Sequence, residues 1–214
     1  MRDATLVQGD VCDRNVVSET FGQHGPFDGV LHFASLISVG ESVTQPERYR
    51  RNIIGGSTTV LEAARDHGAR GFVLSSTAAV YGLPDILPIP EETPLAPINP
   101  YGESKVAVEQ RLAEAEGLDW AALRYFNAAG AHPEGIIGEH HDPETHLIPL
   151  VIHAGQGKRP DIKVFGDDYE TPDGTCIRDY IHVEDLVKAH ALVTESLQDG
   201  DQRFYNLGIG RGRS

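Results

Sequence analysis

Cysteine is nearly missing from these 214 residues: there are two, Cys12 and Cys176. So few form neither a disulfide framework nor a metal-ligand spacing, and no metal is expected from them; their scarcity fits a reducing cytosol. Positive charge is also scarce. Eighteen Lys plus Arg stand against thirty-two Asp plus Glu, so nucleic acid or an anionic bilayer would meet net repulsion, and neither is an expected partner. No apolar run approaches the roughly 18 residues needed to span a bilayer. The opening Met1-Arg2-Asp3-Ala4-Thr5 has no apolar segment behind a basic cluster, and the chain reads as soluble and cytoplasmic. Its length suits one ordinary domain, or one and a half small ones. Internal repeats and low-complexity tracts are absent.

What is present is an alternation of short apolar runs with longer segments of helical period, the pattern of an α/β fold with a parallel sheet. Strands are expected near Ala4 to Gln8, Gly29 to Phe33, Gly71 to Ser75 and Trp120 to Tyr125. A long helix is expected over Pro46 to His67, with Ile53, Val60, Leu61 and Ala64 on its apolar face and Gly68 at its end. Another runs from Pro100 to Glu116, opened by proline and stopped by Gly117. Beyond Tyr125 the pattern loosens. Shorter elements follow around Leu147 to Ala154, Ile162 to Phe165, Tyr180 to Val183 and Glu184 to Ser196. This change places a boundary between residues 1–125 and residues 126–214.

Tyr101-Gly102-Glu103-Ser104-Lys105 puts a phenol and an ammonium four residues apart, on one helix face. A free Tyr has a pKa near ~10, so it serves as a base at neutral pH only where positive charge favours the phenolate. Lys105 could supply that charge; a solvated helix pair is the plainer reading of the spacing alone. Gly71 to Gly82 reads as a buried strand ending in the hydroxyls Ser75, Ser76 and Thr77, at the edge where an open parallel sheet presents ligands. Those hydroxyls could meet a substrate oxygen or cap a turn. Leu31-His32-Phe33-Ala34 and Val7-Gln8-Gly9-Asp10-Val11 end two further expected strands on the same rim.

Four ordered motifs, S-S-T-A-A-V-Y-G from Ser75, N-P-Y-G-E-S-K from Asn99, L-R-Y-F-N-A-A-G-A-H-P from Leu123 and D-G-T-C-I-R-D-Y-I-H-V-E-D-L from Asp173, resemble the UDP-glucose 4-epimerases of the extended short-chain dehydrogenase group. The resemblance runs from about Thr5 to Gly210. It implies a Rossmann-type doubly wound parallel sheet with part of a smaller substrate-binding region, and NAD that takes hydride from C4 of a UDP-hexose and returns it to the other face. Tyr101 would be the base, Lys105 would lower its pKa and hold the nicotinamide ribose, and Thr77 would bond the C4 hydroxyl. Asp10, Val11, Phe33, Ala34, Ser35, Asn52 and Phe126 match cofactor-lining positions. Asn127, His146, Leu147, Phe165 and Arg178 match substrate contacts, Arg178 toward the diphosphate. A homodimer is the family's expected assembly, and galactose metabolism its expected setting.

The motifs also separate neighbours within the group. Sugar-nucleotide 4,6-dehydratases carry an Asp-Glu pair after the hydroxyl residue, where this chain has Ala78 and Ala79, so epimerisation is favoured. Other positions depart from the pattern. Thr77 stands where many members have Ser, and Ile37 where a basic residue is common. Gly22, Gly25 and Gly29 are spaced wrongly for a dinucleotide-binding turn and precede a strand rather than follow one. The resemblance therefore implies an internal fragment, lacking the Gly-rich unit ahead and a region behind, and inactive by itself. Two alternatives stay open: a non-catalytic sugar-nucleotide-binding module, and a 4-epimerase for N-acetylated or uronic sugars.

Overall fold

The computed structural model describes residues 4–198 and 200–214, which divide into two units. The first comprises Met1–Tyr125 with Ala189–Asn206, the second Phe126–Lys188 with Leu207–Ser214.

In the first unit, β1 (Gly29–His32), β2 (Gly71–Thr77), β3 (Asp119–Tyr125) and β6 (Gln202–Leu207) form one sheet in that order. β1 pairs parallel with β2, Val30 opposite Phe72, and β2 pairs parallel with β3, Thr77 opposite Tyr125. A parallel central strand needs both faces covered, and β2 and β3 carry near-continuous apolar runs for that reason. Phe72, Val73, Leu74, Trp120, Ala121, Ala122 and Leu123 are all buried. Each large side chain so buried contributes on the order of 1.5–3 kcal/mol.

The helices follow from local signals. α1 (Arg14–His24) starts at Asp13, whose carboxylate accepts from the N–H groups of Asn15 and Val16. α2 (Val39–Thr44) is capped by Ser38. The long helix expected over Pro46 to His67 is present but not uniform. It begins as α3 (Pro46–Arg50), widens to a π-helix over Arg51–Gly56, and resumes as α4 (Ser57–Asp66), with Gly68 beyond it at φ +71°. The Val11–Cys12 turn presses on the wide part, where a Cβ at Gly56 would stand 2.8 Å from Val11 Cγ2. α5 (Pro100–Ala113) opens with proline after Asn99, whose Oδ1 accepts from Gly102 N at 2.8 Å, and ends ahead of Gly117 at φ +72°. Val60, Leu61, Ala64, Val108 and Leu112 from α4 and α5 join the sheet in one core.

The second unit has its own small sheet: β4 (Asn127–Ala129) parallel to β5 (Arg178–His182), and β5 antiparallel to β7 (Gly212–Arg213). α6 (Leu147–Gly155) carries exposed Leu147, Ile148, Val151 and Ile152. α7 (Val183–Ser196) begins in this unit and continues in the first from Ala189. Among the described residues no helix is long and apolar enough to cross a membrane.

Three sequence expectations change. Ala4 to Gln8 is not a strand, and all five residues are exposed. An extended segment becomes a strand only against a ladder partner, and these residues pair with none of the described strands. The end of this segment is therefore not a strand end in the sheet of β1 and β2. Ile162 to Phe165 forms no regular element, because with Val164 and Phe165 exposed nothing rewards an ordered backbone there. α1, α2 and β6, conversely, carry too little periodicity to stand out in sequence.

Candidate active site

The carboxyl end of β2 delivers Ser75, Ser76 and Thr77 into the space where α5 begins. The Asn99 cap and Pro100 fix the first turn of α5, so Tyr101 and Lys105 face the same strand end. Lys105 is 3 % exposed, and its Nζ donates to the Ser75 carbonyl at 2.7 Å. The ammonium stands 6.0 Å from the centroid of the Tyr101 ring. Thr77 Oγ1 accepts from Ala79 N at 3.1 Å, capping the short 3-10 helix Ala78–Tyr81, and the same hydroxyl acts on the Tyr101 phenol, favouring its charged form. The turn-capping and phenol-contacting roles are thus combined in one residue.

Electrostatics at this cluster are set by burial. Desolvation pushes the Tyr101 phenol up to about 12, and the Thr77 hydrogen bond offsets only part of it. The expected lowering by Lys105 is not what this structure gives: the ammonium is directed at the Ser75 carbonyl rather than at the phenol. Lys105 itself falls to about 8 because burial disfavours its charge, with Glu109 opposing. His32, at the end of β1, is held down at about 4 by burial and then by the charge of Lys105. Its Nε2 lies 2.8 Å from Ser57 Oγ.

A second layer of buried polar groups lies behind this one. Ser76 Oγ donates to Glu109 Oε1 at 2.5 Å, and Arg124 Nη2 donates to Glu109 Oε2 at 2.7 Å. The same guanidinium donates to Tyr81 Oη at 2.9 Å and to the Glu91 carbonyl at 3.0 Å. Tyr81 Oη in turn donates to Asn206 Oδ1 at 2.7 Å. Ser75 Oγ and Tyr125 Oη are 2.5 Å apart. None of Glu109, Arg124, Tyr125 or His32 was singled out for a role by sequence. The available signal was Glu109 one helical turn past Lys105, on the same face.

The other expected cofactor residues in this unit lie on two loops and the π-helix. Phe33 leaves the end of β1 half exposed, its ring 4.7 Å from that of His190. Ala34 and Ser35 follow it, and Ser35 Oγ donates to the Leu36 carbonyl. Asn52, on the π-helix, accepts from Leu36 N at 2.8 Å and so ties that loop down; such bulges recur at functional positions. Asp10 Oδ1 accepts from Cys12 N at 2.8 Å. Asp10 and Val11 line a cavity of about 190 Å³ together with Val7, Val17, Phe21 and Val60. Lys105 fits the nicotinamide-ribose end of NAD: among the described residues its Nζ has one hydrogen-bond acceptor, Ser75 O, and an ammonium has three donors. For the cofactor's diphosphate the described helix starts of this unit offer less. The amino end of α1 is closed by the Asp13 carboxylate and that of α5 by Asn99.

Within the second unit, Phe126 N donates to the Leu207 carbonyl at 3.2 Å, and Asn127 Nδ2 donates to the Asp179 carbonyl at 2.9 Å. His146 is the residue before α6, and Leu147 opens the helix. Phe165 is 91 % exposed. Arg178 is exposed, and Nη1 donates to the Ile177 carbonyl at 2.9 Å. Asp179 does not pair with it. The Asp179 carboxylate accepts from Ile209 N and Gly210 N at 3.0 and 2.8 Å.

Residues 1–208 match the model of the NAD dependent epimerase/dehydratase family. The chain is 49% identical over 218 residues to a UDP-glucose 4-epimerase of Halalkalibacterium halodurans, covering 100% of the chain and 65% of that relative. It is 52% identical to one of Rhizobium leguminosarum bv. trifolii, covering 96% and 64%. The UDP-glucose 4-epimerase of Brucella ovis, solved in complex with NAD, superimposes with a TM-score of 0.92 at 49% identity, covering 97% of this chain and 65% of that one. That of Bifidobacterium longum, solved with NAD+ and UDP, gives 0.91 at 41%, covering 97% and 64%. The chain thus spans about 65% of the length of the curated relatives it matches.

Proposed function

The chain belongs to the NAD dependent epimerase/dehydratase family, and from that premise we propose that it carries the proton-transfer part of a UDP-glucose 4-epimerase, interconverting UDP-glucose and UDP-galactose at C4. The observation that carries this reading is the joint placement of Thr77, Tyr101 and Lys105 around the end of β2, with Ala78 and Ala79 in place of a second acid and base.

NAD, when bound, would supply acceptance and return of the hydride at C4. The chain's own residues handle the proton and the positioning. Tyr101 Oη takes the proton of the C4 hydroxyl, and Thr77 Oγ1 holds that hydroxyl beside the phenol. Lys105, fixed by the Ser75 carbonyl, presents its remaining donors to the nicotinamide ribose. Because burial holds the phenol up at about 12, positive charge at the site must draw it down before it acts as a base near neutral pH. Asp10, Val11, Phe33, Ala34, Ser35, Asn52 and Phe126 are assigned to the cofactor. Asn127, His146, Leu147, Phe165 and Arg178 are assigned to the nucleotide sugar, Arg178 as a planar donor to phosphate. A homodimer, the cytoplasm and a division at Tyr125 between cofactor and substrate parts belong to the same proposal.

The deciding experiment is a chimera in which this chain replaces the matching stretch of the Halalkalibacterium halodurans relative, assayed for conversion of UDP-galactose to UDP-glucose. Turnover is expected, and Tyr101→Phe should lower it by about 100-fold or more, the range for losing general acid-base catalysis. A folded chimera that turns over normally with Tyr101→Phe would remove Tyr101 from the mechanism. Release of a 4-keto-6-deoxy product would overturn the epimerase reading itself.

A further inference from the structure

The loop preceding α6 gathers Glu139, His141, Glu144 and His146, and one ligand atom from each lies within 4.8 Å of the other three. His146 Nδ1 is 2.8 Å from Glu139 Oε1 and 2.9 Å from Glu144 Oε1. His141 Nδ1 is 3.1 Å from the same Glu139 oxygen. The two imidazoles stand 4.7 Å apart, tilted by 51°. The carboxylates are the better shielded members, the Glu144 side chain being 11% exposed and that of Glu139 23%.

Hydrogen bonding accounts for part of this arrangement: Glu144 Oε1 also accepts from Thr145 N and His146 N at 2.8 Å each. A single Nδ1–H has one proton to give, yet two carboxylate oxygens approach it equally closely. Partly desolvated carboxylates set this close repel each other unless positive charge lies between them, whether a protonated imidazole or a bound cation. A tetrahedral ion with bonds of ~2.0–2.1 Å places its ligand atoms about 3.3 Å apart. The observed separations of 2.8, 2.9 and 3.1 Å reach that value with small side-chain rotations. All four ligands come from one short stretch, so little loop-closure entropy opposes binding.

We infer that Glu139, His141, Glu144 and His146 form a binding site for a divalent first-row transition ion, of the Zn2+ class. Two imidazoles with two carboxylates suit such an ion, whereas Ca2+ and Mg2+ prefer all-oxygen sets. The ion pins the loop to the start of α6, where His146 makes no side-chain cap bond. The site owes nothing to the epimerase reading. Where both hold, the ion and the nucleotide sugar share His146, and metal occupancy opposes the substrate contact.

The test is calorimetric titration of the chelator-treated chain with ZnCl2, and with Co2+ followed by visible absorption. One ion per chain is expected, with the intense bands of four-coordinate Co2+. Glu139→Gln and His141→Ala should each weaken Zn2+ binding by about tenfold or more, whereas His140→Ala, outside the four, should leave it unchanged. Circular dichroism checks that the variants keep the parent fold. Failure to bind one equivalent of Zn2+, or affinity unaltered by both ligand variants, overturns the site. Neither result touches the turnover of the Tyr101→Phe chimera, so the two proposals fail separately.

Discussion

The two units hold their functional side chains by different means. In the first, the proposed catalytic residues stand on a strand end and a helix start packed into a continuous core, and Lys105, Glu109 and Arg124 are buried with them. In the second, the buried apolar residues reduce to Ile181 and Leu186, while Phe165 and most of the outward face of α6 are exposed. Its assigned ligand residues sit among local hydrogen bonds, such as those the Asp179 carboxylate accepts from Ile209 N and Gly210 N. Proton transfer needs fixed geometry and a controlled dielectric, which a core supplies. Ligand contacts tolerate, and often require, segments of low local stability.

Breaking the buried network should separate the two units most sharply. Glu109→Ala leaves the Arg124 guanidinium, 3 % exposed, without its anion. A loss of about 3–5 kcal/mol is expected from a buried charge stripped of its partner, read from urea unfolding. A loss below about 1 kcal/mol would mean that the first unit does not depend on this network for its rigidity.

A smaller effect comes from His32. Its folded value of about 4 lies below the ordinary 6.5, so the unfolded chain takes up a proton first as pH falls. Stability should therefore drop from pH 6.5 down to about 4 and level off below that. The contribution is on the order of 3 kcal/mol. His32→Gln should remove this part of the slope, measured as the difference from the parent chain at matched pH. Lys105 has the same sign in a higher window. Its folded value of about 8 lies below 10.5, so its burial cost is relieved as pH rises between the two. Identical slopes in parent and His32→Gln would show that the imidazole is not held neutral by the fold.

The smallest stability effect is expected in the second unit. Arg178→Ala, at an exposed position, should change unfolding free energy by no more than about 0.5 kcal/mol. In the chimera it should still weaken UDP binding by about tenfold, as the loss of a phosphate donor requires. Destabilisation comparable to that of Glu109→Ala would erase the distinction between the two units.

Much of the first unit was legible from periodicity. The apolar runs at Gly71 and Trp120, the Pro100 start with its Gly117 stop, and the four-residue spacing of Tyr101 and Lys105 all express local rules of backbone geometry. So does Gly68 behind the long helix. Ala4 to Gln8 had the composition of a strand without the partner that makes one. The π-helical turn at Arg51–Gly56 was invisible because it answers to the loop packed against Gly56 rather than to propensity.

The sequence by itself determined the α/β class, which side chains are candidates for the chemistry, and which neighbouring reactions Ala78 and Ala79 disfavour. Only the tertiary structure decided how those groups behave: that burial lifts Tyr101 and depresses Lys105 and His32, that Arg124 answers Glu109, and that two histidines meet two glutamates before α6. The physical reason is that spacing along a helix or strand is set by local geometry. A proton affinity or an ion site depends on which distant atoms arrive within a few ångströms and how much water they displace.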